Sequence, residues 1–191
     1  MKIDDYHKIA VSTAAYEGQG RNPTYPALGL AGEAAEFGEK VLDGATLEQL
    51  AKEAGDVLWY VANMAREMRA DLRDVAEAVA PGCEEFDCLR QAVPRQPVDH
   101  GTEGRLRAAL RLAGRAGNVC ERVKKLYRDD GGELTEERRG LIMAGLSQTL
   151  AALASAALVC GLGMSHVAEL NAEKLLDRKK RGHIKGDGDD R

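Results

Sequence analysis

No charged residue occurs from Gly140 to Ser165, and few folds can hide such a run. A stretch that long could cross a bilayer. It could equally be a helix apolar on all sides and buried in a protein core. Its composition favours the core. It is rich in Ala, it carries Ser147, Gln148, Thr149 and Ser155, and nothing in its flanks supports insertion. The expectation is no membrane, and a chain that wraps this helix with others.

The rest of the sequence supplies such partners. Two Phe and one Trp occur among 191 residues, while Ala, Leu, Glu and Arg abound. That composition favours helices over strands. Apolar periodicity gives a first helix over about 3–17, and the loop GQGRNPTYP leads to a second at about 26–43. Asp43-Gly44 ends it. Thr46, with Gln49 three residues on, reads as the capping box of a third helix running to about Arg69. A short helix over Leu72 to Val79 stops at Pro81-Gly82. Residues 81–104 lack clean periodicity. Helices at about 105–128, 134–161 and 164–181 follow, then a polar tail, RGHIKGDGDDR, read as a lid or an extended arm.

The second half echoes the first. LGLAGEAAEFGEKV (28–41) aligns without gaps on LRLAGRAGNVCERV (110–123), with identity at seven of fourteen positions. Each copy continues with a turn, a long helix and a short one. LRDVAEA (72–78) resembles MSHVAEL (164–170). The expected architecture is an all-α helical bundle of two tandem, degenerate helical repeats. Residues 1–80 form the first unit, 81–104 a connecting segment and 105–191 the second unit. Chance similarity within an ordinary helical bundle is the alternative.

Only the first copy keeps its acids. Glu33/Glu36 and Glu53/Asp56 are both i,i+3 pairs, so each projects from one face of its helix. A turn of a few residues makes those helices an antiparallel hairpin, which would gather four carboxylates in a small volume. Four such groups cannot all ionise without a strong counter-charge. Hard divalent cations favour all-oxygen surroundings. Acid pairs also occur on solvated faces. These acids, however, abut apolar runs, where an unpartnered carboxylate is costly. In the second copy Arg115 and Asn118 replace Glu33 and Glu36. With the longer turn allowed for, Gly145 and Gln148 fall opposite Glu53 and Asp56.

GLAGEAAEFGEK followed by KEAGDVLWYVANM resembles the ExxE…ExxD signature of the MazG-like all-α nucleoside triphosphate pyrophosphohydrolases. NAEKLLDRKKRGHIKGDGDDR (171–191) resembles the end of the short, phage-type members. The two blocks span roughly the first 80 and last 30 residues. About ninety residues separate them, whereas in the short relatives one directly follows the other. The resemblance implies Mg²⁺, with Mn²⁺ as substitute, on Glu33, Glu36, Glu53 and Asp56 as catalytic ligands. It implies hydrolysis of a (deoxy)nucleoside triphosphate to the monophosphate and pyrophosphate. Asn171, Lys174, Arg178 and Arg181 would hold phosphates. Glu36 and Glu39 are candidate general bases. Trp59 is either a base-stacking platform or a core residue; Tyr25, Tyr60 and His7 are weaker base-side candidates.

The two copies then read as complementary halves of one site. One supplies metal ligands and the other a phosphate-binding helix, as in the duplicated dimeric dUTPase-like branch. The function expected is nucleotide-pool house-cleaning. A nucleotide-binding regulator without catalysis and a plain helical interaction protein are the alternatives. With 27 basic and 31 acidic residues, net −4, a nucleic-acid partner is not expected. The N-terminus lacks the form of a signal peptide, and the four cysteines make no CxxC. A cytoplasmic homodimer with reduced thiols is the expectation. Asp187, Asp189 and Asp190 lack the spacing of a calcium loop.

Overall fold

The computed structural model describes residues 1–93 and 98–182. Pro94, Pro97 and the tail over 183–191 lie outside the described residues, so the lid or arm read from that tail does too. Among the described residues there are seven α-helices and no named strand: α1 (Ile3–Ser12), α2 (Thr24–Leu42), α3 (Leu47–Glu67), α4 (Leu72–Glu77), α5 (Thr102–Asp129), α6 (Glu136–Val159) and α7 (Met164–Arg181). A 3-10 turn covers Phe86–Ala92 in the connection.

Local chemistry sets most of these boundaries. Thr46 accepts a hydrogen bond from the Gln49 backbone, and the Gln49 side chain accepts one from the Thr46 backbone, so α3 starts in a capping box. Gly44 adopts φ 67° just past α2, the left-handed turn expected of Asp43-Gly44. The first helix is shorter than its periodicity predicts. It ends at Ser12 because the next residues are captured from elsewhere. The buried carboxylate of Glu67 accepts bonds from the Tyr16 hydroxyl at 2.6 Å, the Gly20 amide at 2.9 Å and the Asn22 amide at 2.8 Å. Arg66 crosses the Tyr16 ring and donates to its hydroxyl at 2.7 Å. This clamp shapes the loop that leads into α2.

The helices α2, α3, α5 and α6 form the central bundle: α2 packs on α3 and α5, and α6 on α5 and α3. The short α4 of the first half packs on α6, and α7 of the second half packs on α3. A single apolar cluster runs through both halves, from Ile3 to Ala172. The uncharged helix α6 is long and apolar enough to span a bilayer, yet 61% of its most apolar window is buried inside the protein. Ile142, Leu146, Leu150 and Leu153 supply its core face.

The N-terminus pairs with the connection. The Ile3 amide donates to the Glu84 carbonyl, and the Phe86 amide to the Met1 carbonyl. Cys83 and Cys88 are joined by a disulfide, with Cα atoms 5.5 Å apart. This corrects the expectation of four reduced thiols. The 3-10 turn folds the chain back within five residues, a proximity no short cysteine motif announces. Cys120 and Cys160 are free.

Leu150→Ala tests the place of α6. A fully buried leucine truncated in a packed core is expected to cost about 2–5 kcal/mol in urea unfolding. A cost near zero would mean that this face is not packed as described.

Candidate active site

Glycines bring three helices unusually close around the acids. Gly29 of α2 lies against Tyr60 of α3; a Cβ there would overlap the phenol ring. Gly55 of α3 lies against Asn171 of α7; a Cβ there would sit 2.7 Å from the Asn171 Cβ. Glycine inside a helix costs about 1 kcal/mol relative to alanine, so such positions point to close approach. Glu33 follows Gly29 by about one turn, and Asp56 follows Gly55 directly. The acids are therefore carried into the seam where α2, α3 and α7 meet.

Glu33, Glu53 and Asp56 gather there, each offering a carboxylate oxygen within 4.8 Å of the others. Glu53 is only 3% exposed. Glu36 and Glu39 are exposed on α2 and lie outside this group. The charge of Glu36 nevertheless reaches Glu33. Burial first, then Asp56, Glu36 and Glu53, push the Glu33 carboxyl up from 4.5 to about 8, against a smaller opposing pull from Lys174.

Two of the expected phosphate-binding residues stand at the same cluster. The Asn171 amide donates from Nδ2 to Asp56 Oδ1 at 3.0 Å, and Lys174 donates from Nζ to Asp56 Oδ2 at 2.5 Å. Asn171 and Lys174 are thus neighbours of the acids themselves. Arg178 is half-buried one turn beyond Lys174 on the same face of α7. Arg181 is exposed and pairs with Asp177 at 2.6 Å.

An aromatic row borders the acids. Tyr16 and Tyr25 stack at 4.5 Å, Tyr25 meets Tyr60 at 6.4 Å, and Tyr60 meets Trp59 edge-on at 4.8 Å. Trp59 is partly buried against the core, and its indole N–H donates to Thr13 Oγ1 at 3.1 Å. Tyr25, 46% exposed, is the open member of the row. Burial, with Tyr25 and Glu33 nearby, pushes the Tyr60 phenol well above its usual range. His7 instead faces Asp71 at 3.1 Å, with burial lowering its pKa.

A family model described as the MazG nucleotide pyrophosphohydrolase domain matches residues 22–81. The Gene 37 protein of Mycobacterium phage L5 is 32% identical over 127 residues, covering 65% of this chain and all of that relative. The chain belongs to the MazG family. No solved structure matches it. The MazG match spans α2, α3 and α4, and so contains every acid of the cluster. The residues that α7 contributes, Asn171 and Lys174, lie beyond that match.

The donor set of this MazG-family chain fits a hard divalent cation. It consists of oxygens only, it is partly desolvated, and at Glu33 the repulsion from Asp56, Glu36 and Glu53 outweighs the pull of Lys174. Sequence reasoning missed Tyr6, whose fully buried hydroxyl donates to Asn171 Oδ1 at 2.8 Å. It also missed the closing glycines. Gly55, an interior helix glycine beside Asp56, was the available signal.

The raised Glu33 carboxyl gives a pH dependence. Between about 4.5 and about 8 the folded, metal-free chain binds a proton that the unfolded chain does not. This contribution to stability is fully present below about 4.5 and is lost as pH rises through about 8. Glu33→Gln cannot ionise and lacks that slope. The melting temperature of the metal-free wild type, measured relative to Glu33→Gln, is expected to fall as pH rises from 5 to 9. A flat difference would mean that Glu33 ionises freely.

Proposed function

We propose that this chain hydrolyses a nucleoside triphosphate to the monophosphate and pyrophosphate, with Mg²⁺ held by Glu33, Glu53 and Asp56. The observation that carries the proposal is the meeting of these acids with Lys174 and Asn171 in one seam. Water breaks the α–β phosphoanhydride, adding OH to the nucleotide and H to the departing pyrophosphate. When bound, the metal supplies charge neutralisation for the polyphosphate and acidifies a water.

The chain's own residues do the positioning. Phosphoryl transfer needs charge placed in the right geometry more than covalent help. Lys174 and Arg178, on one face of α7, supply cations for the phosphates, with Arg181 further along the helix. Glu36 stands at the solvent edge of the cluster, available as a fourth ligand or as acceptor of the attacking water's proton. The aromatic row of Trp59, Tyr60 and Tyr25 gives the base an apolar wall.

The two halves divide this work under a tandem duplication. Arg115 Nη1 donates to Gln148 Oε1 at 2.7 Å. These residues align with Glu33 and Asp56, so their contact supports equivalence of the two hairpins. The crossed packing of α4 on α6 and α7 on α3 supports it as well. On this reading the first unit holds the metal and the second contributes the phosphate-binding helix. House-cleaning of aberrant nucleotides is the role such an activity would serve.

A panel of ribo- and deoxynucleoside triphosphates with Mg²⁺ tests the reaction. Pyrophosphate is the expected product; orthophosphate would overturn the assigned bond. Glu33→Gln and Lys174→Ala are each expected to lower kcat/KM by about 100-fold or more. Glu121→Ala, in the second unit, should leave it unchanged. Mg²⁺-dependent nucleotide binding without turnover would make the chain a regulator instead.

A further inference from the structure

Asn171 has two unlike ends, and its neighbours dictate which end faces the acids. An ionised carboxylate only accepts hydrogen bonds, so Asp56 requires the Nδ2 end. The Oδ1 end must then point away from the cluster, into the protein. Asn171 is 2% exposed, and a buried carbonyl oxygen needs a donor. Tyr6 is that donor, at 2.8 Å. Burial and the nearby Asp56 push its phenol far above the usual range, so it keeps its proton. If Oδ1 had no donor, the amide could rotate and turn its oxygen towards Asp56, where two acceptors repel.

Tyr6 is itself held rigidly. Its ring meets the buried Phe86 edge-on at 5.4 Å. Its helix is fastened to α7 on either side of the hydrogen bond. The Met1 amino group pairs with Glu169 at 3.2 Å, and Lys179 donates to the Ser12 carbonyl at 3.2 Å. Residues 1, 6 and 12 thus meet residues 169, 171 and 179 in the same order, so α1 and α7 run side by side in parallel.

We infer that Tyr6 is a positioning residue for the metal-binding acids: its hydroxyl locks the amide of Asn171, and the locked amide holds Asp56 in its ligating orientation. This rests on the metal site proposed above. The family match begins at residue 22, so Tyr6 lies outside it.

Binding of Mn²⁺ alone, followed by electron paramagnetic resonance without nucleotide, tests the inference. Tyr6→Phe is expected to weaken Mn²⁺ about tenfold, as loss of an outer partner of a ligand does. Asn171→Ala should weaken it at least as much. The double variant should be no weaker than Asn171→Ala alone, because Tyr6 acts only through Asn171. A merely structural Tyr6 would give losses that add in full, and that result overturns the inference, as does an unchanged affinity in Tyr6→Phe. Failure of the unmutated chain to take up Mn²⁺ overturns the metal site and this inference together. Should Tyr6→Phe not fold, the Tyr6 hydroxyl proton in the unmutated chain serves instead. A slowly exchanging resonance that shifts when Mg²⁺ is added supports the inference, and one that does not shift overturns it.

Discussion

Asp56 is gripped by a helix that begins more than a hundred residues later in the chain. Asn171 and Lys174 reach its two oxygens across sequence separations of 115 and 118. That grip is possible because Gly55 lets α7 settle directly on α3. It also has a cost. Closing α2 and α7 onto α3 strips water from three acids, and Lys174 cancels only part of the resulting repulsion. The strain shows in Glu33, whose carboxyl is pushed to about 8. A cluster built this way disfavours its own ionised, cation-free form. Perturbed acids of this kind are characteristic of working sites. The remainder of the bundle must supply the stability that the seam gives up, and the buried faces of α3 and α6 are where it does so.

What could be read from the sequence was what local chemistry controls. The start of α3 follows from Thr46 and Gln49, two residues three apart that satisfy each other. The end of α2 follows from Gly44, and the burial of α6 from its want of charge. The end of α1 could not be read. Its periodicity runs on past Ser12, but Glu67 draws Tyr16, Gly20 and Asn22 away from helical geometry, and no local pattern encodes that pull. The cysteine pair was hidden for the same reason. Its geometry comes from a 3-10 turn inside a stretch without periodicity.

The site shows the same division. Helical spacing put Glu33 with Glu36 and Glu53 with Asp56, and it put Lys174 and Arg178 on one face. Spacing does not say how far a stripe turns before it leaves the seam. Three residues advance a helix by about 300°, some 60° short of a full turn. That rotation suffices to leave Glu36 exposed while Glu33 is half-buried. The Tyr6–Asn171 bond was beyond reach because nothing in the sequence of α1 records what α7 brings to it.

The second hairpin shows what the acids of the first require. Under the proposed duplication, Arg115 and Gln148 stand where Glu33 and Asp56 would be, and they bond to each other directly. Arg122 lies over Gly145, the counterpart of Glu53; a Cβ there would sit 2.6 Å from its guanidinium. Its Nη1 donates to the Leu141 carbonyl. On that proposed reading, one kind of helix–helix seam is closed twice with opposite electrostatics. In α2 and α3 the seam is lined with anions and draws its balancing charge from outside the hairpin, from Lys174 and, as proposed, a bound cation. In α5 and α6 the positive charge is covalently part of the chain, and an arginine stays charged at any ordinary pH. That hairpin needs no ligand to be electrostatically settled. Its second helix can then lose every charge from Gly140 onward and be spent wholly on packing. Under the proposed duplication, the uncharged run and the acidic stripe are two consequences of one exchange of charge.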